Sequence, residues 1–197
     1  MRQSKDDYYR AALELLADGG VDALTMANLC ARLGVTTGSF YAHFPSIREF
    51  HTAFLEQWAA GRVYQLREQV ESTTDPLDRI DLLRRLAVAV HHEAESAIRG
   101  WARTNAEVAE FQRRVDRARE EALAQAFFDF GIEKGEARVL ARIGLTILVG
   151  TQQIEDTVDR RRLDALFAEY QRWLESRRDA AGRTPASLSR RRRPAAR

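Results

Sequence analysis

The stretch from Thr25 to Pro45 has room for two short helices joined by a tight turn, and for little else. Thr25 is a natural N-cap for a helix over Met26 to Leu33, and Gly34 supplies the break that ends it. Thr36 can cap a second helix, from about Thr37 to His43, which Pro45 stops. Met26, Leu29, Cys30 and Leu33 fall on the inner face of the first helix, Val35 plugs the turn, and Phe40 and Phe44 bury the second. Two short helices around a glycine-containing turn are the helix-turn-helix signature. Thr36, Thr37, Gly38, Ser39, Tyr41 and His43 are then left on the outer side. Short polar residues suit a helix end that enters a groove about 12 Å wide. Gly38 lets backbone come close, and Tyr41 and His43 can donate to phosphates. Such a face has little packing work to do.

The flanking sequence predicts helices throughout. Ser4 with Asp7, Ser46 with Glu49, and Thr104 with Glu107 have capping-box spacing, and Pro76 suits the first position of a helix. Helices are expected from Ser4 to Gly19, from Ser46 through Phe50, Phe54 and Trp58, from Pro76 to Val90, from Thr104 to Gly131, from Glu136 to Gln153 and from Arg160 to Arg177. Between His91 and Arg103 a short helix with a break near Ser96 or Gly100 is expected. The fold class is therefore all-α, with about nine helices. A three-helix, DNA-binding head over residues 1–50 would precede a larger helical bundle over 51–177, with a disordered arginine-rich tail over 178–197.

Net charge is informative only when divided. The chain is formally +2, but residues 178–197 hold seven arginines against one aspartate, so the remainder is net acidic. Residues 1–50 hold five basic and six acidic side chains. Overall charge is thus no argument for nucleic-acid binding, and local geometry must carry it. Arg2, Lys5, Arg32 and Arg48 would have to gather on one face. Arg190 to Arg193 with Arg197 would add sequence-independent phosphate contacts or form an incidental tail.

Several function classes are excluded. The sequence carries no P-loop, no Gly-rich dinucleotide turn, no metal-ligand cluster and no nucleophile with a positioned base, so no catalytic residue, metal or cofactor is expected. The lone cysteine, Cys30, reads as a small buried hydrophobe. His91 and His92 are adjacent and point about 100° apart on a helix, a poor chelating arrangement. A partly buried polar pair near a cavity or the helix surface suits them better. With no bilayer-spanning run and no signal-peptide core, the expected location is the cytoplasm and no membrane partner is expected.

The run Gly34-Val-Thr-Thr-Gly-Ser-Phe-Tyr-Ala-His-Phe-Pro-Ser46, with Thr25 upstream, resembles the DNA-binding region of the tetracycline-repressor (TetR) family. The likeness is specific within Ser4 to Phe54 and general to about residue 177. It implies a homodimer that binds palindromic operator DNA as a repressor and is released by a small-molecule effector held in the C-terminal helices. DNA contacts are expected from Thr25, Thr36, Thr37, Gly38, Ser39, Tyr41, His43 and Arg48. The family usually has a phosphate-binding lysine directly after the serine that opens the fourth helix. This chain has Ile47 there and Arg48 next, roughly 100° further round the helix.

In the C-terminal region, His91, Trp101, Phe111, Val115 and Phe127, with Phe128 beside them, are candidates to line an effector pocket, the other reading being ordinary core. Arg113-Arg114 and Arg119-Glu120-Glu121 read as solvated helix face. Ile143, Ile147, Leu148, Leu163, Phe167, Tyr170 and Trp173 exceed what one buried stripe needs, which favours a four-helix dimer interface over closure of the monomer's own core. The competing function is a helical ligand-binding or protein-interaction module with weakened DNA binding.

Overall fold

The computed structural model describes residues 3–182, with side chains described as far as Arg178. Among these residues there are nine α-helices, one short 3-10 turn and no strand. None of the helices is long and apolar enough to cross a membrane.

α1 (Lys5–Gly19) starts on a complete Ser4–Asp7 capping box and buries Tyr8, Ala11, Ala12, Leu15 and Leu16. After a 3-10 turn over Val21–Ala23, Thr25 caps α2 (Met26–Leu33) by accepting from the Asn28 amide. Gly34 ends α2 in the left-handed region, at φ 65°, where a Cβ would be strained. Thr36 caps α3 (Thr37–Tyr41), which stops two residues before the expected His43. The Ala42 amide already closes back on Gly38, and His43 on Phe40, as the chain turns towards Ser46.

Ser46 caps α4 (Ile47–Glu71), followed by α5 (Pro76–Ala89), which Asp75 caps. α6 (His92–Ala102) runs without the expected break, because Ser96 and Gly100 keep helical geometry under a buried stripe of His92, Ala94, Glu95 and Ile98. α7 (Ala106–Asp129) is capped by Asn105 rather than Thr104: the Asn105 carboxamide accepts from the Glu107 and Val108 amides, while the Thr104 hydroxyl donates to the Trp101 carbonyl. α8 (Lys134–Ile154) starts on Glu133, and α9 (Arg160–Gly182) continues past residue 177. The expected tail over 178–197 therefore starts too early. Its remainder from residue 183, including Arg190 to Arg193 and Arg197, lies outside the described residues, as does Arg2.

Two packing features position the functional regions. α1 lies on α6, so one apolar cluster runs from Tyr8, Phe40 and Phe54 through Ala94 and Ile98 to Val108 and Val115. The expected boundary at residue 50 falls inside α4, which carries on without interruption into the C-terminal bundle. There, α7, α8 and α9 pack with α5 around two further clusters.

Candidate nucleic-acid interface and the cavity behind it

α3 has only five residues, too few to hold helical shape alone. Aromatic rings hold it instead. Phe40 is fully buried, with its ring 5.8 Å from Tyr8, 5.5 Å from Phe44 and 5.8 Å from Phe50. Phe44 and Phe50 meet edge to face at 4.9 Å. Such pairs add about 0.5–1.5 kcal/mol each beyond burial. With that side anchored, Thr36, Thr37, Gly38 and Tyr41 are exposed, Tyr41 at 56%.

Ser39 and His43 differ from this group. Both are half-buried: the Tyr8 hydroxyl donates to Ser39 Oγ at 3.3 Å, and the His43 ring tilts against Tyr8 at 5.6 Å. Thr25 is exposed, its hydroxyl occupied in capping α2.

The cations do not share one face equally. Arg32 donates to Glu14 at 3.0 Å and Asp18 at 2.6 Å, so its charge is already matched on α1. The Lys5 ammonium sits 5.4 Å from the centre of the Phe44 ring. Ile47 is half-buried against the aromatic cluster, whereas Arg48 is exposed and has no ion pair among the described residues. Cys30 is buried, and burial pushes its thiol up from its ordinary value.

A cavity of about 110 Å³ lies between α4, α5, α7, α8 and α9. One water needs only ~10–15 Å³ on this scale, so the space admits an organic molecule. Its wall is mostly apolar and includes Leu66, Leu83, Leu123, Phe127, Leu148 and Phe167, with Val115. Of the expected lining residues, Val115 and Phe127 are there and three are elsewhere. His91 is an exposed residue preceding α6, and Trp101 and Phe111 pack on the N-terminal cluster. Trp101 meets the His51 ring at 5.1 Å, because α6 faces the head at that end. Phe128 is 48% exposed.

Sequence reading missed the polar end of the cavity. Arg62 and Arg119 line it, and both reach Glu95 on α6. Arg119 Nη2 donates to the two Glu95 carboxylate oxygens at 2.8 and 2.9 Å, and Arg62 Nε lies 3.5 Å from Oε1. Burial alone would raise the Glu95 carboxyl, but the adjacent charges and hydrogen bonds, Arg119's foremost, outweigh it and hold the group below its ordinary value. Arg119 is thus no solvated residue: its side chain is 14% exposed. The periodicity did contain the signal. Arg119 falls four residues after Val115 and four before Leu123, and Arg62 four after Trp58 and four before Leu66, on the apolar stripes of α7 and α4.

Neighbouring His92 is buried and held neutral. Its Nε2–H donates to the Val88 carbonyl at 3.1 Å, so Nδ1 accepts from the Gln152 amide at 3.3 Å. Among the described residues no three His, Cys, Asp or Glu side chains are grouped to hold a metal ion.

The expected dimer residues divide by burial. Leu148, Leu163 and Phe167 are buried within the monomer, with Ala87 and Val88 of α5 packed over them, and Leu148, Phe167 and Tyr170 line the cavity. Tyr170 donates to the Leu140 carbonyl at 2.5 Å. Ile147 is half-buried against the same cluster. Only Ile143 and Trp173 remain outward, each 40% exposed, joined by Val139 and Leu166. The cause is plain: α7 covers the inner face of α8 and α5 that of α9, faces that the sequence leaves free for a second subunit.

A short helix mounted on aromatic rings, its N-terminal end bare, together with a separate apolar cavity, defines a helix-turn-helix protein with a helical body. Residues 9–53 match the family of bacterial regulatory proteins described as the tetR family. The HTH-type transcriptional repressor KstR2 of Mycobacterium tuberculosis is 28% identical over 89 residues, 44% of this chain and 44% of that protein. The match thus spans less than half the length of that curated relative. A TetR transcription regulator from Haloarcula marismortui superposes with a TM-score of 0.69 at 21% identity, over 86% of this chain and 96% of the other. A transcriptional regulator from Saccharomonospora viridis, solved in complex with choline, does so with a TM-score of 0.70 at 13% identity, over 84% and 94%. At these identities the structural likeness is one of fold. Residues 9–53 are thus similar to the tetR family of bacterial regulatory proteins, and the rest of the described chain shares its fold with the solved structures named above.

Proposed function

We propose that the chain is a DNA-binding transcriptional regulator: a homodimeric repressor that a small-molecule effector releases from a palindromic operator. The observation that carries this reading is the bare end of α3, where Thr36, Thr37 and Tyr41 are exposed although Phe40 behind them is wholly buried. A helix fixed on one side and polar on the other suits base and phosphate contact in the major groove. Thr25, Thr36, Thr37, Gly38, Tyr41 and Arg48 are the direct DNA contacts in this reading. Ser39 and His43 contribute from half-buried positions.

One such helix reads few base pairs, and a two-fold pair spaces two half-sites about one helical turn apart. Val139 and Ile143 on α8 with Leu166 and Trp173 on α9 supply the exposed apolar face for that pairing. The head corresponds to residues 1–50 and the effector and dimer region to residues 51–177 with the remainder of α9. The cavity beside α4 is the effector site. The protein works in the cytoplasm, performs no catalysis and needs no cofactor.

Selecting duplexes from a random DNA pool with the purified protein tests the reading. An enriched inverted repeat is expected, with Thr37→Ala and Tyr41→Ala each weakening binding roughly tenfold. Folded, dimeric variants that bind as tightly as the parent, or no enriched site at low salt, would overturn it and leave the ligand-binding module as the function.

A further inference from the structure

The cavity's two ends differ in charge. Among the described residues no carboxylate lines it, and the polar lining members are Arg62, Gln65, Arg84, Arg119, Tyr170 and Gln171. Arg84 is neutralised by Asp81 at 2.6 Å and Asp164 at 3.3 Å. At the other end two guanidinium groups share the single carboxylate of Glu95, which leaves one positive charge in excess. Arg119 meets Glu95 through Nη2 alone, and its Nη1 is buried with no hydrogen-bond partner among the described residues. Arg62 approaches Glu95 only through Nε. A buried, unsatisfied donor on a charged group is costly, and a charge-assisted bond to an anion is the strongest remedy.

We infer that the cavity takes an amphipathic monoanion, its carboxylate on Arg119 and Arg62 and its apolar body among Leu66, Leu123, Phe127 and Leu148. This deepens the effector reading and rests on it for the ligand's role, though not for its chemistry. A cationic amphiphile would meet two arginines at the polar end. A neutral one would satisfy Nη1 and leave the excess charge unbalanced. A second carboxylate would find as its one further cation among the described lining residues Arg84, whose charge Asp81 and Asp164 already match.

The test is calorimetry on the full-length protein without DNA, using straight-chain carboxylates from hexanoate to dodecanoate and the alcohols and amines of equal length. A carboxylate is expected to bind at least tenfold more tightly than its alcohol or amine. Arg119→Gln should abolish that preference, and Glu95→Gln, which removes the competing carboxylate at nearly constant shape, should increase it. Should Arg119→Gln fail to fold, Arg62→Gln and Glu95→Gln decide by the same measure. Equal or tighter binding of the alcohol or amine, no binding by any carboxylate of the series, or a preference unchanged in folded Arg119→Gln overturns the inference. DNA release is scored separately. A carboxylate that binds without loosening the operator upholds the ligand class and overturns the effector reading. A neutral or cationic compound that fills the cavity and releases DNA does the reverse.

Discussion

Tyr8 and Ser39, 31 residues apart in sequence, are joined by a 3.3 Å hydrogen bond from the tyrosine hydroxyl, and the same ring stands edge-on to Phe40. One side chain of α1 therefore sets both the depth and the rotation of α3. Tyr8→Phe should keep the fold and lower stability by about 0.5–1.5 kcal/mol. Tyr8→Ala should cost ~3–5 kcal/mol, the usual loss for a buried aromatic ring. Urea unfolding of the two variants checks the ratio.

Arg32 and Arg48 are both basic residues of the head, but only Arg48 has charge to offer. Arg48→Ala should reduce the salt dependence of DNA binding by about one unit of log–log slope. Arg32→Ala should leave that slope unchanged, since Glu14 and Asp18 already hold the guanidinium. Titrations at several salt concentrations separate them.

His51 and His92 give the fold an acid limit. Burial lowers the pKa of each, with hydrogen bonds to the Leu24 and Val88 carbonyls opposing it. Between the unfolded value near 6.5 and these lower folded values, the unfolded chain binds more protons. Their stability contribution is thus complete above about pH 6.5 and declines as pH falls through that window. Glu95 acts in the same direction, but only below its ordinary value of 4.5. Thermal melts between pH 7.5 and 5.5 should show Tm falling with pH, and a smaller fall in a His51→Gln, His92→Gln double variant.

Gly144 lines the cavity from within α8, and a Cβ there would stand 3.4 Å from Leu123 and 3.6 Å from Tyr170. These are ordinary contacts. Gly144→Ala should stabilise the protein by up to about 1 kcal/mol through helix propensity, while the added methyl narrows the cavity and weakens whatever binds in it. Calorimetry of unfolding and of ligand binding reads the two effects separately.

Ile143→Glu and Leu163→Ala distinguish the outer from the inner face of the last two helices. Ile143 is 40% exposed and Leu163 fully buried. Ile143→Glu should give a folded monomer in sedimentation. Leu163→Ala should lower stability by ~2–5 kcal/mol and leave association of the folded fraction intact.

The helical architecture was largely legible because its punctuation is local. Ser4, Thr25, Thr36, Ser46 and Asp75 each cap a helix with their own side chain, and Gly34 ends one with its own dihedral angles. The outward face of α3 followed from period and residue size. What stayed hidden depends on distant neighbours. Whether Leu148 and Phe167 meet a second subunit or their own core is decided by α5, some 60 or more residues away along the chain. The pairing of Glu95 with Arg119 joins two helices, and the Arg119 run looks solvated when read singly. Trp101 and Phe111 have the composition of a pocket wall, yet α1 and α4 occupy the space in front of them.

The continuity of α4 has a mechanical consequence. Its 25 residues at ~1.5 Å per residue make a rod roughly 37 Å long, with Ser46 and Phe50 at one end and Arg62, Val63 and Leu66 well along it. Tilting such a rod by about 5° displaces its far end by about 3 Å, which is as long as a hydrogen bond. In the proposed reading, a molecule that shifts Arg62 slightly would move the DNA-facing end of α4 as a lever does. The gain is set by helix length, and no chemical contact has to pass through the head.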